Sequence, residues 1–165
     1  MINFNENSLF TGLSTDQIAS IKGHFKLYEY KAGDVIIEEH SIGDSMFLLL
    51  EGEVTIDKNL VPLFEQIEVN PDDKKIINIK DDKLYYFGEM SMFDTNFKRS
   101  ASILSKIDTK VAFLSKSDFE NIIAEYPEIG ITILKNIGLK LSQLLDRSNV
   151  ELSKLITAFT MSLKL

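Results

Sequence analysis

The chain has 165 residues, a formal net charge of −7 and no cysteine. This length predicts one domain, 1–165, with a proper hydrophobic core, and the lack of cysteine excludes disulfides and thiolate chemistry. The acidic balance argues against broad nucleic-acid binding. The sequence has neither an apolar run of about 18 residues nor a basic, apolar leader. We therefore expect a cytoplasmic protein with no membrane partner.

A helix is predicted near the start of the chain, over 9–26. Ser14 is a suitable N-cap, and Gln17 three residues later completes a capping box. Ile18 and Ile21 then follow at helical spacing, which predicts a helix with one packed face.

Between 27 and 115 the hydrophobic pattern changes to the alternation of β-strands. The alternating runs are short, and the turns between them contain Gly33, Gly43 and Gly52. Short strands at such close intervals are typical of an antiparallel sandwich or roll. The predicted fold class is therefore α+β, with an antiparallel roll between helices.

The segment 57–75 interrupts this pattern. Pro62, Pro71 and an Asn-Pro-Asp-Asp run rule out a plain continuous strand pair, yet the segment is rich in apolar residues. Two alternatives are open: a longer hairpin that packs on its own roll, or a docking surface for a partner. The returning strand that follows contains Ile77.

The stretch 87–101 carries the strongest functional signal. Gly88 lets the backbone approach a ligand, because it has no Cβ. If Glu89 to Met92 form one helical turn, their free N–H groups point at one spot, which attracts an anion. Arg99 can return to that spot with a planar, charged fork that matches phosphate oxygens.

Neighbouring residues complete this anion site. Ser100 adds a hydroxyl group, and Ala101 leaves room for a ligand. Glu89 would repel a phosphate, so its presence makes sense if it accepts hydrogen bonds from a sugar hydroxyl and also holds Arg99. A phosphate, a hydroxyl and a base on one small molecule describe a nucleotide.

The stretch resembles the phosphate-binding cassette of cyclic nucleotide-binding domains, and in particular their bacterial catabolite activator branch. In that family a Phe-Gly-Glu-Leu-Ala-Leu-like segment is followed by Arg-Ala-Ala or Arg-Ser-Ala. The corresponding residues here are Phe87-Gly88-Glu89-Met90-Ser91-Met92 and Arg99-Ser100-Ala101.

The resemblance implies a jelly-roll-like β-roll that binds cyclic AMP, with cyclic GMP as the other candidate ligand, and that performs no reaction and needs no cofactor. The bacterial transcription factors continue into a winged helix-turn-helix, to which nothing in this chain corresponds, so no nucleic-acid partner is expected. The expected ligand-binding residues are Gly88, Glu89, Met90, Ser91, Arg99, Ser100, Ala101, Ile77, Lys140 and Leu144.

C-terminal helices are predicted over 117–165. A long apolar stripe begins at Pro127 and continues to Phe159, and a polar interruption at Ser148 leaves open either one helix or two shorter ones. One long helix predicts a parallel homodimer through a coiled-coil-like seam from Ile137 onward. Two helices predict instead that the last one folds back as a lid on its own pocket.

The resemblance identifies this helical region as a lid over the base, which in the bacterial transcription factors also pairs two subunits. The positions where that branch places base-contacting hydroxyls fall at or beside Leu144 and Leu145, which offer only apolar contact. Lys140 lies one turn earlier, within reach of a ligand.

Other chemistries find little support. His24 and His40 lie in different elements without metal-ligand spacing, so we expect no metal. The main rival to a cyclic nucleotide sensor is a degenerate roll that no longer binds nucleotide and serves as an interaction or dimerisation module. In either case an effector protein is a further candidate partner.

Overall fold

Two antiparallel sheets form the body of the chain. The computed structural model describes residues 4, 7–58, 75–80, 85–93 and 98–162, with 58 and 75–80 described by their backbone alone. Within these ranges the strands are β1 Lys26–Tyr30, β2 Val35–Ile37, β3 Ser45–Glu51, β4 Glu53–Lys58, β5 Lys75–Lys80, β6 Tyr86–Phe87, β7 Ser102–Ser105 and β8 Thr109–Ser115. One sheet has the order β1-β8-β3-β6 and the other β2-β7-β4-β5.

The sheets pack face to face, and strand β3 shows why its sequence is apolar almost throughout. Phe47 and Leu49 belong to the cluster between the sheets, whereas Met46 and Leu48 belong to the cluster beneath the helices. Successive side chains of a strand point to opposite faces, so a strand covered on both sides needs apolar residues at consecutive positions. This arrangement confirms the predicted antiparallel roll with an N-terminal helix and a long C-terminal helix.

The N-terminal helix is shorter than the predicted 9–26. Helix α1 spans Thr15–Ile21, with a 3₁₀ turn before it at Ser8–Phe10 and another after it at Lys22–His24. The predicted capping box is present, because Ser14 accepts from the Gln17 amide and Gln17 accepts from the Ser14 amide. Gly12, with φ 89, separates the first turn from α1, since a left-handed residue cannot continue a helix.

Two helices follow the roll, α2 over Lys116–Glu125 and α3 over Pro127–Ser162. Helix α3 is continuous through Ser148, so the alternative of two shorter helices with a folded-back lid is not found. Its first half is held by the core, in which Ile129, Ile133 and Ile137 are buried. Beyond Leu141 its side chains are exposed.

Strands β4 and β5 pair directly, with Glu53 opposite Lys80 and Lys58 opposite Lys75. They are therefore neighbouring antiparallel strands, and the returning strand that was predicted after the 57–75 segment is present. The two alternatives for that segment concern residues 59–74, which lie outside the described residues. None of the described helices is long and apolar enough to cross a membrane.

Candidate functional site

A cavity of about 410 Å³ opens between the roll and the middle of α3. Its floor comes from strands of both sheets, one wall from the stretch after β6, and its rim from α3. The lining residues are Ile37, Ile56, Tyr85, Phe87, Gly88, Glu89, Met90, Arg99, Ser100, Ala101, Ile103, Lys140, Leu144 and Arg147.

The predicted helical turn is present at the cavity wall. It is a 3₁₀ turn over Glu89–Met92, and Gly88 precedes it with φ 79. A Cβ on Gly88 would lie 2.6 Å from Nη1 of Arg99, so both the backbone conformation and the space at this position require glycine. The turn thereby presents its first N–H groups, which have no acceptor within the turn, beside Arg99.

Arg99 is buried and holds its guanidinium inward. Nη1 donates to the carbonyl oxygen of Gly88 at 3.1 Å and to the Ser91 hydroxyl at 3.2 Å. Nη2 donates to the carbonyl oxygen of Ser45 at 2.8 Å and to its hydroxyl at 3.0 Å. The four terminal N–H groups of the guanidinium therefore all have protein acceptors.

The backbone of Arg99 is held from the opposite side by the loop after β2. The Arg99 amide donates to the carbonyl oxygen of Ser41, and the Arg99 carbonyl accepts from the His40 amide, both at 2.9 Å. The loop can approach the side chain of Arg99 this closely only because residue 43 is a glycine. A Cβ on Gly43 would lie 2.7 Å from both Nε of Arg99 and Cβ of Ser91. Arg99 is thus fixed at both backbone and side chain.

Burial lowers the pKa of Arg99, and the carboxylates of Asp44 and Glu89 act in the opposite direction. An arginine loses little charge even so, because its ordinary pKa lies far above neutral pH. The cavity therefore contains a permanent, desolvated positive charge, which is the requirement for holding a small anion.

Glu89 does not hold Arg99, which corrects that part of the sequence prediction. Its Oε2 lies 3.3 Å from Nζ of Lys140, and its side chain is only 7% exposed. Arg99 is satisfied by Ser45, Ser91 and a carbonyl oxygen instead. The sequence could not show this, because only the packing of α3 places Lys140 next to the cassette.

Lys140 is in turn held by residues at the start of strand β6. Nζ donates to the carbonyl oxygen of Tyr86 and lies 4.7 Å from the ring centroid of Tyr85 and 4.0 Å from that of Tyr86. Burial lowers the pKa of Lys140, whereas the charge of Glu89 and its hydrogen bond raise it. The ammonium thus links α3 to the cavity wall.

Eight of the ten predicted site residues line this one cavity: Gly88, Glu89, Met90, Arg99, Ser100, Ala101, Lys140 and Leu144. Ser91 lies just behind the wall and is fully buried, where it accepts from Arg99. The side chain of Ile77 lies outside the described residues, although its strand neighbour Ile56 lines the cavity.

Two residues on α3 differ from expectation. Leu145, which we expected over the base beside Leu144, is not among the lining residues and is 63% exposed. Arg147 does line the cavity and was missed. The signal for it was the i, i+4, i+7 spacing of Lys140, Leu144 and Arg147, which places all three on one helix face.

In the part of the chain that the structure describes, no group of three or more histidine, cysteine, aspartate or glutamate side chains is placed to hold a metal ion. The charged side chains of the cavity are those of Arg99, Lys140, Arg147 and Glu89, and Ser100 adds a hydroxyl group. This set suits an organic anion with hydroxyl groups.

Comparisons with known proteins agree with the geometry. The family model for the cyclic nucleotide-binding domain matches residues 27–126. The chain is 31% identical over 124 residues to a cAMP-dependent protein kinase regulatory subunit from Aspergillus niger, covering 75% of this chain and 27% of that protein. It is 27% identical over 122 residues to cGMP-dependent protein kinase, isozyme 1, from Drosophila melanogaster, covering 73% of this chain and 15% of that protein.

Among solved structures, the fold is similar to that of the catabolite activator protein from Thermus thermophilus. The TM-score is 0.74 at 23% identity, and the match covers 90% of this chain and 63% of that chain. This similarity supports the fold predicted from the resemblance. The chain spans about a quarter or less of the length of the two kinase relatives.

The buried hydrogen bonds of Arg99 predict a cost in stability when they are lost. We expect Arg99→Leu to lower the free energy of unfolding by about 1–3 kcal/mol, because buried oxygen atoms of Ser45, Gly88 and Ser91 lose the charged donor that Arg99 supplies. The matched control is Arg147→Leu, which removes the same side chain from an exposed position without a described partner and should change stability by less than about 0.5 kcal/mol. Urea unfolding measures both, and equal effects would contradict the described role of Arg99.

Proposed function

Because the chain belongs to the cyclic nucleotide-binding domain family, we propose that it is a sensor that binds a 3′,5′-cyclic nucleotide, preferentially cyclic AMP, and performs no reaction itself. The observation that carries the proposal is the buried Arg99 beside the buried carboxylate of Glu89 in one cavity. A cyclic phosphate and a ribose hydroxyl are the two groups that such a pair would recognise in one molecule.

The cavity offers a place for each part of the ligand. The phosphate would lie against Arg99, Ser100 and the first N–H groups of the 3₁₀ turn. The sugar would face Glu89, and the base would extend toward the α3 rim at Leu144 and Arg147. To receive the phosphate, Arg99 must exchange some of its present acceptors for phosphate oxygens, so part of the binding energy offsets the bonds given up.

Those same internal bonds support the rival function. Since Ser45, Ser91 and Gly88 already satisfy the terminal N–H groups of Arg99, the fold does not need a ligand to stabilise this buried charge. A roll that binds no nucleotide and acts as an interaction module could keep the same arrangement. Calorimetry with cyclic AMP separates the two functions.

We further propose that ligand binding is coupled to α3. The middle of this helix is held to the roll by polar contacts: Lys140 contacts Glu89, and the Tyr86 hydroxyl donates to the carbonyl oxygen of Asn136 at 3.2 Å. A ligand changes the position of α3 only if it binds one position of the helix more tightly than another. The effector protein that would respond to such a change is a further part of this proposal.

The first binding prediction concerns the phosphate. We expect Arg99→Leu to weaken cyclic AMP binding by several kcal/mol, because a charged, hydrogen-bonded partner is lost in a sheltered cavity. The matched control, Lys98→Leu, removes an exposed positive charge at the adjacent position and should bind nearly as the wild type does. Calorimetry is run where unfolding curves show each variant to be folded, and wild-type affinity in Arg99→Leu would exclude this cavity as the phosphate site.

The second binding prediction concerns the base. Leu144 supplies only apolar contact, so we expect cyclic AMP to be preferred over cyclic GMP by only about ten-fold, on the order of 1.4 kcal/mol. Arg147 can donate to N7 of either purine but also to O6 of guanine, so it should favour cyclic GMP. Arg147→Ala should therefore increase the preference for cyclic AMP several-fold. Calorimetry with both nucleotides measures this, and a decrease in the preference would contradict the assignment of Arg147 to the base.

We also propose a parallel homodimer through the second half of α3. The predicted seam begins later than expected, because Ile137 is buried in the core of its own chain. Leu145, Leu152, Leu155 and Phe159 remain, each more than half exposed and spaced by seven, three and four residues. A second copy of the helix would cover this stripe.

Light scattering tests the dimer. We expect twice the mass of one chain, and Leu155→Glu should convert the protein to a monomer, because it places a charge in the seam. Leu139→Glu is the matched control, since Leu139 is similarly exposed on α3 but lies outside the seam. A wild-type monomer both with and without cyclic AMP would exclude the dimer.

A further inference from the structure

We propose that Lys140 is a positioning residue: it holds the carboxylate of Glu89 for a ligand's sugar hydroxyl, and so determines how strongly the site prefers ribose to deoxyribose. This inference rests on the proposed function, because it assigns a role to a residue of the same cavity. It goes beyond the expectation that Lys140 simply reaches the ligand.

Glu89 is buried and carries a charge that needs a partner. Its side chain is 7% exposed, and Lys140 is its one ion-pair partner among the described residues. An unpaired charge in such a position is costly, so we expect a carboxylate without Lys140 to turn toward water. This change removes the fixed acceptor that a hydroxyl group needs.

Lys140 is itself held in place by groups of the roll. Its Nζ donates to the carbonyl oxygen of Tyr86 and faces the rings of Tyr85 and Tyr86. These contacts are independent of any ligand, so the ammonium has a fixed place before binding. A flexible side chain that is already immobilised can orient its partner at no further entropic cost during binding.

The carboxylate of Glu89 can accept more than one hydrogen bond. An ionised carboxylate has two oxygen atoms and about four acceptor positions, and the contact with Lys140 is made by Oε2. Glu89 can therefore keep its contact with Lys140 while it accepts a hydrogen bond from a sugar hydroxyl. A hydrogen bond to an ionised acceptor is about twice as strong as one between neutral groups.

The test compares cyclic AMP with 2′-deoxy cyclic AMP, which lacks one sugar hydroxyl. In Lys140→Met, which keeps an apolar stem of similar length against the tyrosine rings, we expect cyclic AMP to bind about ten-fold more weakly and the deoxy analogue to bind nearly as before. The ratio of the two affinities should therefore fall about ten-fold. Lys140→Arg, which keeps the positive charge, should retain most of the ratio.

Two controls separate this role from others. Lys135→Met removes an exposed positive charge from the same helix and should leave the ratio unchanged. In a Glu89→Ala background, Lys140→Met should no longer alter the ratio, because a residue that acts through Glu89 has no effect once Glu89 is absent.

The outcomes are distinct. If Lys140→Met weakens both nucleotides equally, or leaves the ratio unchanged, Lys140 does not position Glu89 and the inference is wrong. The same is true if Lys140→Met still changes the ratio in the Glu89→Ala background. If the wild-type protein binds neither nucleotide, the proposed function fails first, and the inference fails with it.

Discussion

A desolvated guanidinium in the lining of the cavity is the constraint on which the site depends. Arg99 is buried, and a buried charge is tolerated only when its donors are satisfied. The surrounding structure meets this need with oxygen atoms of Gly88, Ser45 and Ser91. The backbone can come this close because Gly43 and Gly88 have no Cβ, which would collide with the guanidinium. The shape of the cassette follows from this requirement.

A second buried charge lies in the same cavity and is treated differently. Glu89 is paired with Lys140, which belongs to α3 and not to the roll. One ion of the site is therefore satisfied within the roll, and the other depends on a helix that packs from outside. This division makes the position of α3 part of the candidate site, because any shift of the helix alters the surroundings of Glu89.

Helix α3 has two halves with different physical roles. Its first half carries Ile129, Ile133 and Ile137 into the core, and a side-chain amide of Asn136 donates to the carbonyl oxygens of Leu9 and Thr11. Its second half is exposed on all sides in a single chain, although it is rich in leucine. The cavity rim, at Leu144 and Arg147, lies where the two halves meet.

The sequence by itself determined the roll, the turn after Gly88 and the placing of Arg99 beside that turn, because these features depend on the spacing of residues within short stretches of the chain. The alternation of apolar and polar residues, the glycine turns and the capping box at Ser14 all depend on residues that are near neighbours in the sequence. The motifs Gly88-Glu89 and Arg99-Ser100-Ala101 likewise lie within one short stretch. Only the tertiary structure decided which groups satisfy the charges. Lys140 and Arg147 reach the cavity through the packing of α3, and Ser45 reaches Arg99 through the strand order. Contacts of this kind join distant parts of the chain, and no local pattern records which distant residue will pack against which charge.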